Sequence, residues 1–232
     1  MGNPGGVSLV SAKEAPLSAA KCAAMRFQKS RFLHGYAKGK ASWDPSYPAV
    51  AGILHHSHRP LLDVGCGVGL LAAYLRESGC TQPILGIEPD AEKVRTARDL
   101  VAGCYPDLDF REGDARSLPE FSGDVVLLDV LHYMEPADQR FVLESVAARI
   151  APGGCALIRT TFRDSSWRYL ATMIEEVFVR ASGWIRGGHC HFPTRQEIET
   201  AFQSPHLSPS IRPMWGKTPF NSHLIEIRRA GG

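Results

Sequence analysis

The chain has 232 residues, with 26 basic and 24 acidic side chains and a formal net charge of +2. So close a balance argues against recognition of a nucleic acid or an anionic membrane by bulk charge, and no apolar run approaches the length of a membrane span. Small-molecule chemistry is then the default, and the six cysteines, which stand apart without a CxxC pair, read as reduced thiols of a cytoplasmic protein.

Residues 1–12 are rich in Gly, Ser and Pro, lack a basic n-region and read as part of a disordered leader extending to residue 15. From Pro16 onward Leu17, Ala20, Ala24 and Phe27 recur at helical spacing. The stretch from Phe32 to Pro45 contains Gly35 and Gly39 and is expected to be irregular. It reads either as a plain connection or as a lid, with Tyr36 and Trp43 stacking on a flat or cationic ligand and Lys38 or Lys40 holding a carboxylate. Asp44 and Pro45 supply the N-cap and first-turn residue of a helix running to about Leu54. His55, His56 and His58 follow without an acid or cysteine beside them, so an exposed helix end is expected and no metal.

Leu61 to Val64 has the composition of a buried strand, and Leu70 to Ser78 has helical periodicity, so Gly65, Gly67 and Gly69 must make the turn between them. Without Cβ atoms they let a ligand approach the backbone at a helix N-terminus. The spacing is G-x-G-x-G rather than the dinucleotide G-x-G-x-x-G, and Asp63 stands two residues ahead of it. A carboxylate there repels pyrophosphate and suits a ligand bearing an ammonium and a sulfonium. Ile84 to Glu88 reads as a second strand, placing a carboxylate where it can accept both hydroxyls of a ribose, and Asp90 caps the next helix. A third strand, Leu108 to Glu112, leads into the turn Gly113-Asp114-Ala115. The apolar run Asp124 to Asp129 is a fourth strand that delivers His132 and Tyr133 to the carboxyl edge of a parallel sheet, where ligands lie. A helix over 137–150 and a fifth strand, Cys155 to Thr160, complete the alternation.

Asp63-Val-Gly-Cys-Gly-Val-Gly resembles the first motif of the class I S-adenosylmethionine-dependent methyltransferases, and the later motifs follow in that family's order, so the similarity runs from Leu61 to Thr160. The resemblance implies an α/β fold: a seven-stranded Rossmann-like sheet with helices on both faces and a C-terminal antiparallel hairpin. It implies S-adenosyl-L-methionine as cofactor and S-adenosyl-L-homocysteine as product. Asp63, Gly65, Cys66, Gly67 and Gly69 would form the cradle, Glu88 and Pro89 the ribose site, and Asp114 and Ala115 the adenine site, with Asp129 at the sheet edge. The organisation expected is a helical cap or lid over 16–58 and the methyltransferase domain over 59–232.

Beyond Thr160, Ser166 to Arg180 is amphipathic, Ser182 to Phe192 is a Gly-rich loop carrying His189-Cys190-His191, and Thr194 with Glu197 makes a capping box. Ser210 to Trp215 and His223 to Ile227 read as a hairpin. Adjacent ligands in the histidine triplet point to opposite faces of an extended chain, so no metal is expected there either. His132 is the first candidate for a general base, with simple packing as the alternative, and Tyr133 stands beside the acceptor. Segments around Gly35-Tyr36 and Trp215-Gly216 are similar to a bacterial methyltransferase subgroup of pigment-type pathways, which implies a small apolar or aromatic acceptor modified at oxygen or carbon. No motif for a nucleic-acid acceptor is present. A non-catalytic cofactor-binding protein and a nucleotide-dependent oxidoreductase remain the alternatives.

Overall fold

The computed structural model describes residues 14–181 and 190–231. Three helices open the described chain: α1 (Glu14–Met25), α2 (Arg31–Trp43) and α3 (Ser46–Leu54). The first begins inside the stretch expected as leader, and the remaining leader residues, 1–13, lie outside the described residues. The segment expected to be irregular is helix α2. Ser30 caps it, its hydroxyl accepting from the Leu33 amide at 3.3 Å, and Ala37 and Ala41 bury one face against the core. Gly35 and Gly39 each cost about 1 kcal/mol in helix propensity relative to alanine, which this packing outweighs. Asp44 and Pro45, expected as N-cap and first-turn residue, stand one place earlier: Asp44 ends α2, Pro45 is the N-cap of α3, and the Asp44 carboxylate still accepts from the Ser46 amide and hydroxyl at 2.9 and 2.7 Å.

Strands and helices then alternate: β1 (Leu61–Val64), α4 (Leu70–Glu77), β2 (Ile84–Glu88), α5 (Ala91–Leu100), β3 (Leu108–Glu112), β4 (Asp124–Leu128), α6 (Pro136–Arg149) and β5 (Cys155–Thr161). After them come α7 (Trp167–Ala181), α8 (Arg195–Ala201), β6 (Leu207–Pro213) and β7 (Ser222–Arg229). The seven strands lie in the order β3-β2-β1-β4-β5-β7-β6, with the first five parallel and β7 antiparallel to both β5 and β6. This is the sheet and hairpin the sequence predicted. Strand order reverses between β1 and β4, the crevice where open parallel sheets bind ligands.

Period-two alternation splits the interior into two cores. Leu61, Val126, Leu157 and Leu224 face α1 to α5, while Leu62, Val64, Leu127 and Ile225 face α6 and α8. Leu75, Phe27 and Phe110 fill the first core and Leu131, Ile150 and Phe202 the second, all essentially without solvent exposure. Both faces of the central strands are therefore covered, β3 and β6 are exposed at the edges, and the tips of the parallel strands open to a ligand. Asp90 caps α5 through the Glu92 and Lys93 amides, and the Thr194–Glu197 capping box opens α8 as read from sequence. The expected Gly-rich loop and His189 fall largely on residues 182–189, outside the described residues.

Candidate active site

A cavity of about 1210 Å³ opens at the carboxyl ends of β1 to β5. Its first half is built on the glycine turn. Gly65, Gly67 and Gly69 all take positive φ, at 75°, 55° and 80°. At Gly65 a Cβ would stand 2.3 Å from Val130 Cγ2, and at Gly69 2.9 Å from Phe110, so conformation and close approach both demand glycine. The Gly65 and Cys66 amides donate to the Ile87 carbonyl, and Gly69 sits at the N-terminus of α4. Cys66 is buried, and burial raises its thiol well above the ordinary range, which leaves it a wall of the cavity rather than a nucleophile.

Asp63 is 3 % exposed and one of its carboxylate oxygens has no hydrogen-bond partner. Burial, with Glu88 nearby, pushes its carboxyl up to about 7. Such an oxygen at the cavity wall is poised for a cation. Glu88, at the tip of β2, accepts from the Gly67 amide at 3.0 Å and the Asp90 amide at 3.2 Å, leaving lone pairs on both oxygens for ligand hydroxyls. Pro89 continues the wall. Asp114 and Ala115 follow β3, where the Asp114 carboxylate accepts from the Arg116 side chain and amide, contacts that hold it below the usual carboxylate range. Arg116 reaches on to Asp138.

Asp129 stands at the sheet edge on the cavity wall. It has left β4, takes φ of 59°, and its carboxylate pairs with Lys40 at 2.9 Å and with Arg159. Lys40 also meets Asp44 at 2.7 Å, and Arg159 meets Asp44 at 2.9 Å and the Ser222 hydroxyl at 3.0 Å. Burial alone would raise the Asp129 carboxyl and lower the Lys40 ammonium, but the facing charges outweigh it and move both the other way. The Lys40 ammonium is thus occupied by two of the protein's own carboxylates, where the sequence suggested it would hold a ligand's.

The second half of the cavity lies over β4, β5 and β7. Tyr36 and Trp43 of α2, Tyr133, Thr161, Phe220 and Ser222 line it. His132 does not lie on this wall. It is 6 % exposed, its ring stacks on Phe192 at 5.1 Å, and Tyr133 leans against it at 4.0 Å. The 3₁₀ turn Leu131–Tyr133 sends Tyr133 to the cavity and His132 inward. Arg159 was missed by the sequence reading, although a guanidinium inside an otherwise apolar strand signals a buried partner. Asp44, read as the N-cap of α3, instead ends α2 and faces Arg159. Among the described residues no cluster of three His, Cys, Asp or Glu side chains is arranged to hold a metal, and no helix is long and apolar enough to cross a membrane.

The residues present fit S-adenosylmethionine: an orphaned buried carboxylate for a cationic ligand, a turn of three positive-φ glycines leading into a helix N-terminus, with open space over Gly67, and a second buried carboxylate one strand away. Residues 61–154 match the family model described as a methyltransferase domain. Residues 61–154 are therefore a methyltransferase domain, and the seven-stranded sheet around them is of the class I S-adenosylmethionine-dependent type. The chain is 32 % identical over 133 residues to a ubiquinone biosynthesis O-methyltransferase of Sinorhizobium fredii (strain NBRC 101917 / NGR234), covering 56 % of this chain and 51 % of that protein. It is 29 % identical over 136 residues to a carboxy-S-adenosyl-L-methionine synthase of Aliivibrio fischeri (strain MJ11), covering 55 % of each. The chain spans about half the length of these curated relatives. The fold matches that of magnesium protoporphyrin IX methyltransferase from Synechocystis PCC 6803, solved with bound S-adenosylhomocysteine, with a TM-score of 0.64, 17 % identity, and coverage of 89 % of this chain and 94 % of that one.

Proposed function

We propose that the protein transfers a methyl group from S-adenosylmethionine to oxygen or carbon of a small, apolar or aromatic acceptor. The observation that carries this reading is the continuity of one cavity, from the glycine cradle past Glu88 and Asp114 into a half lined by Tyr36, Trp43, Tyr133 and Phe220. A cavity of about 1210 Å³ exceeds what one drug-sized ligand needs, so it has room for a second molecule in line with the first. S-adenosylmethionine supplies an activated methyl on a sulfonium; the protein's share is to hold the two reactants in line and exclude water. In this reading Asp63 faces the cation, Glu88 accepts from the ribose, and Asp114 with Ala115 reads the adenine. Helix α2 covers the acceptor half, with Tyr36 and Trp43 presenting ring faces. Proton removal by His132 would require its ring to leave Phe192, so positioning carries the larger share of the rate. Scattered, unpaired cysteines support a cytoplasmic enzyme acting on a metabolite.

The test is to add purified protein and methyl-labelled S-adenosylmethionine to host extract and to search by mass spectrometry for metabolites that gain the label. A labelled methyl ether or C-methylated product of a phenol, an enol or another small apolar acceptor is expected. Binding of S-adenosylhomocysteine with no labelled product would leave a non-catalytic binding protein. Binding of NAD in its place would leave an oxidoreductase.

A further inference from the structure

Asp129 combines three features that the cofactor reading does not explain. It is one of two non-glycine residues in the left-handed region among those described. Its carboxylate is held by cations from two separate elements, Lys40 of α2 and Arg159 of β5. Its amide donates to the Arg159 carbonyl at 3.1 Å, so both ends of the residue are fixed by the same neighbour. The next residue, Val130, lies against Gly65, with Cγ2 in the space where a Cβ of Gly65 would stand. For a residue with a Cβ the left-handed conformation is unfavourable, and Asp adopts it more readily than most only because its short side chain finds local partners.

We propose that Asp129 is a positioning residue: its ion pairs with Lys40 and Arg159 hold a left-handed turn that seats Val130 on Gly65 and so sets the cofactor cradle. This rests on the methyltransferase reading and adds to it a physical link, from the N-terminal helix α2 through Lys40, Asp129 and Val130 to the first glycine of the loop. The carboxylate acts on the backbone of its own residue, and the cradle acts on the ligand. Without the turn, residue 129 relaxes toward extended backbone, Val130 moves off Gly65, and binding must restore both.

Charge-balanced double variants separate positioning from direct ligation. Lys40→Met with Asp129→Gly leaves Arg159 and Asp44 as a one-to-one pair, and glycine takes positive φ without strain. Lys40→Met with Asp129→Ala has the same charges and disfavours the turn. Calorimetric titration with S-adenosylhomocysteine is expected to give the glycine variant an affinity within threefold of wild type and the alanine variant one about tenfold weaker. Equal affinities overturn the proposal: both weak means that the carboxylate itself holds the ligand, and both tight means that turn and cradle are independent. Near-ultraviolet circular dichroism checks folding. Should either double variant fail to fold, the single variants Asp129→Gly and Asp129→Ala decide, because they share one charge change and differ in their tolerance of positive φ; binding about tenfold tighter by the glycine variant is expected, and equal affinities overturn the proposal. A wild-type protein that does not bind S-adenosylhomocysteine refutes the cofactor reading instead, a separate result.

Discussion

Replacing Asp63 by asparagine should make stability rise relative to wild type as pH increases. The carboxyl stands at about 7 in the folded chain against an ordinary value of 3.8. Between those values the folded state holds a proton that the unfolded state has released, so wild-type stability from this group falls as pH rises from about 4 to about 7 and is flat beyond. At roughly 1.4 kcal/mol per pH unit, the three-unit gap sets a ceiling of about 4 kcal/mol. For a domain of this size that corresponds to roughly 10 °C in Tm. Asparagine carries no charge, so its curve lacks this slope; any cost of a buried amide displaces the whole curve equally at every pH. The assay is thermal melting of both proteins at half-unit steps from pH 4.5 to 8.5 without ligand. The Tm difference, variant minus wild type, should climb through that range and level off above pH 7. A difference constant across the range would show that Asp63 is ionised throughout and that its burial does not perturb it. The same linkage applies to ligand binding. Cationic S-adenosylmethionine favours the ionised carboxylate, so wild-type affinity should fall as pH drops below 7, a dependence Asp63→Asn removes.

Four further substitutions probe the cavity and its surroundings. Glu88→Ala removes a buried acceptor worth about 1.5–3 kcal/mol to a bound hydroxyl, a loss of at least tenfold in S-adenosylhomocysteine affinity by calorimetry. Asp114→Ala is expected to lose only a few-fold, because Arg116 already faces that carboxylate and the site is open to solvent; unchanged affinity in both variants would remove the cofactor assignment. Gly65→Ala drives a methyl into Val130 and strains a φ of 75°, so binding should weaken more than tenfold and Tm should drop by several degrees. His132→Ala should lower Tm by a few degrees through the cavity left beside Phe192, with S-adenosylhomocysteine affinity unchanged. A loss of affinity there would place the imidazole in the ligand site.

The part of the fold from β1 to β5 was legible because each signal there is local. Apolar runs of strand length, the helix cap at Asp90 and glycines at fixed spacing each depend on neighbours within a few residues. The carboxyl edge gathers the residues at the strand ends whatever the rest of the chain does, which is why Asp63, Glu88, Asp114 and Tyr133 line one cavity. Helix α2 was misread because two glycines in thirteen residues outweigh propensity on paper, while the burial of Ala37 and Ala41 that offsets them is tertiary. The ion-pair cluster was invisible for the same reason. Asp44 and Arg159 are 115 residues apart, and nothing local announces that they meet. Whether a residue after a strand points into a cavity or into the core turns on one 3₁₀ turn, and that decided between His132 and Tyr133.

The central claim is that the glycine turn and the tips of β1 to β3 together hold S-adenosylmethionine. A crystal structure of the protein grown with S-adenosylhomocysteine tests it most directly. The account predicts the homocysteine amine on the Asp63 side of the glycine turn, ribose hydroxyls on Glu88, adenine beside Asp114, and the sulfur facing the half lined by Tyr36 and Tyr133. Density for the nucleoside elsewhere, or a glycine turn closed by protein with the ligand absent at saturating concentration, would contradict it.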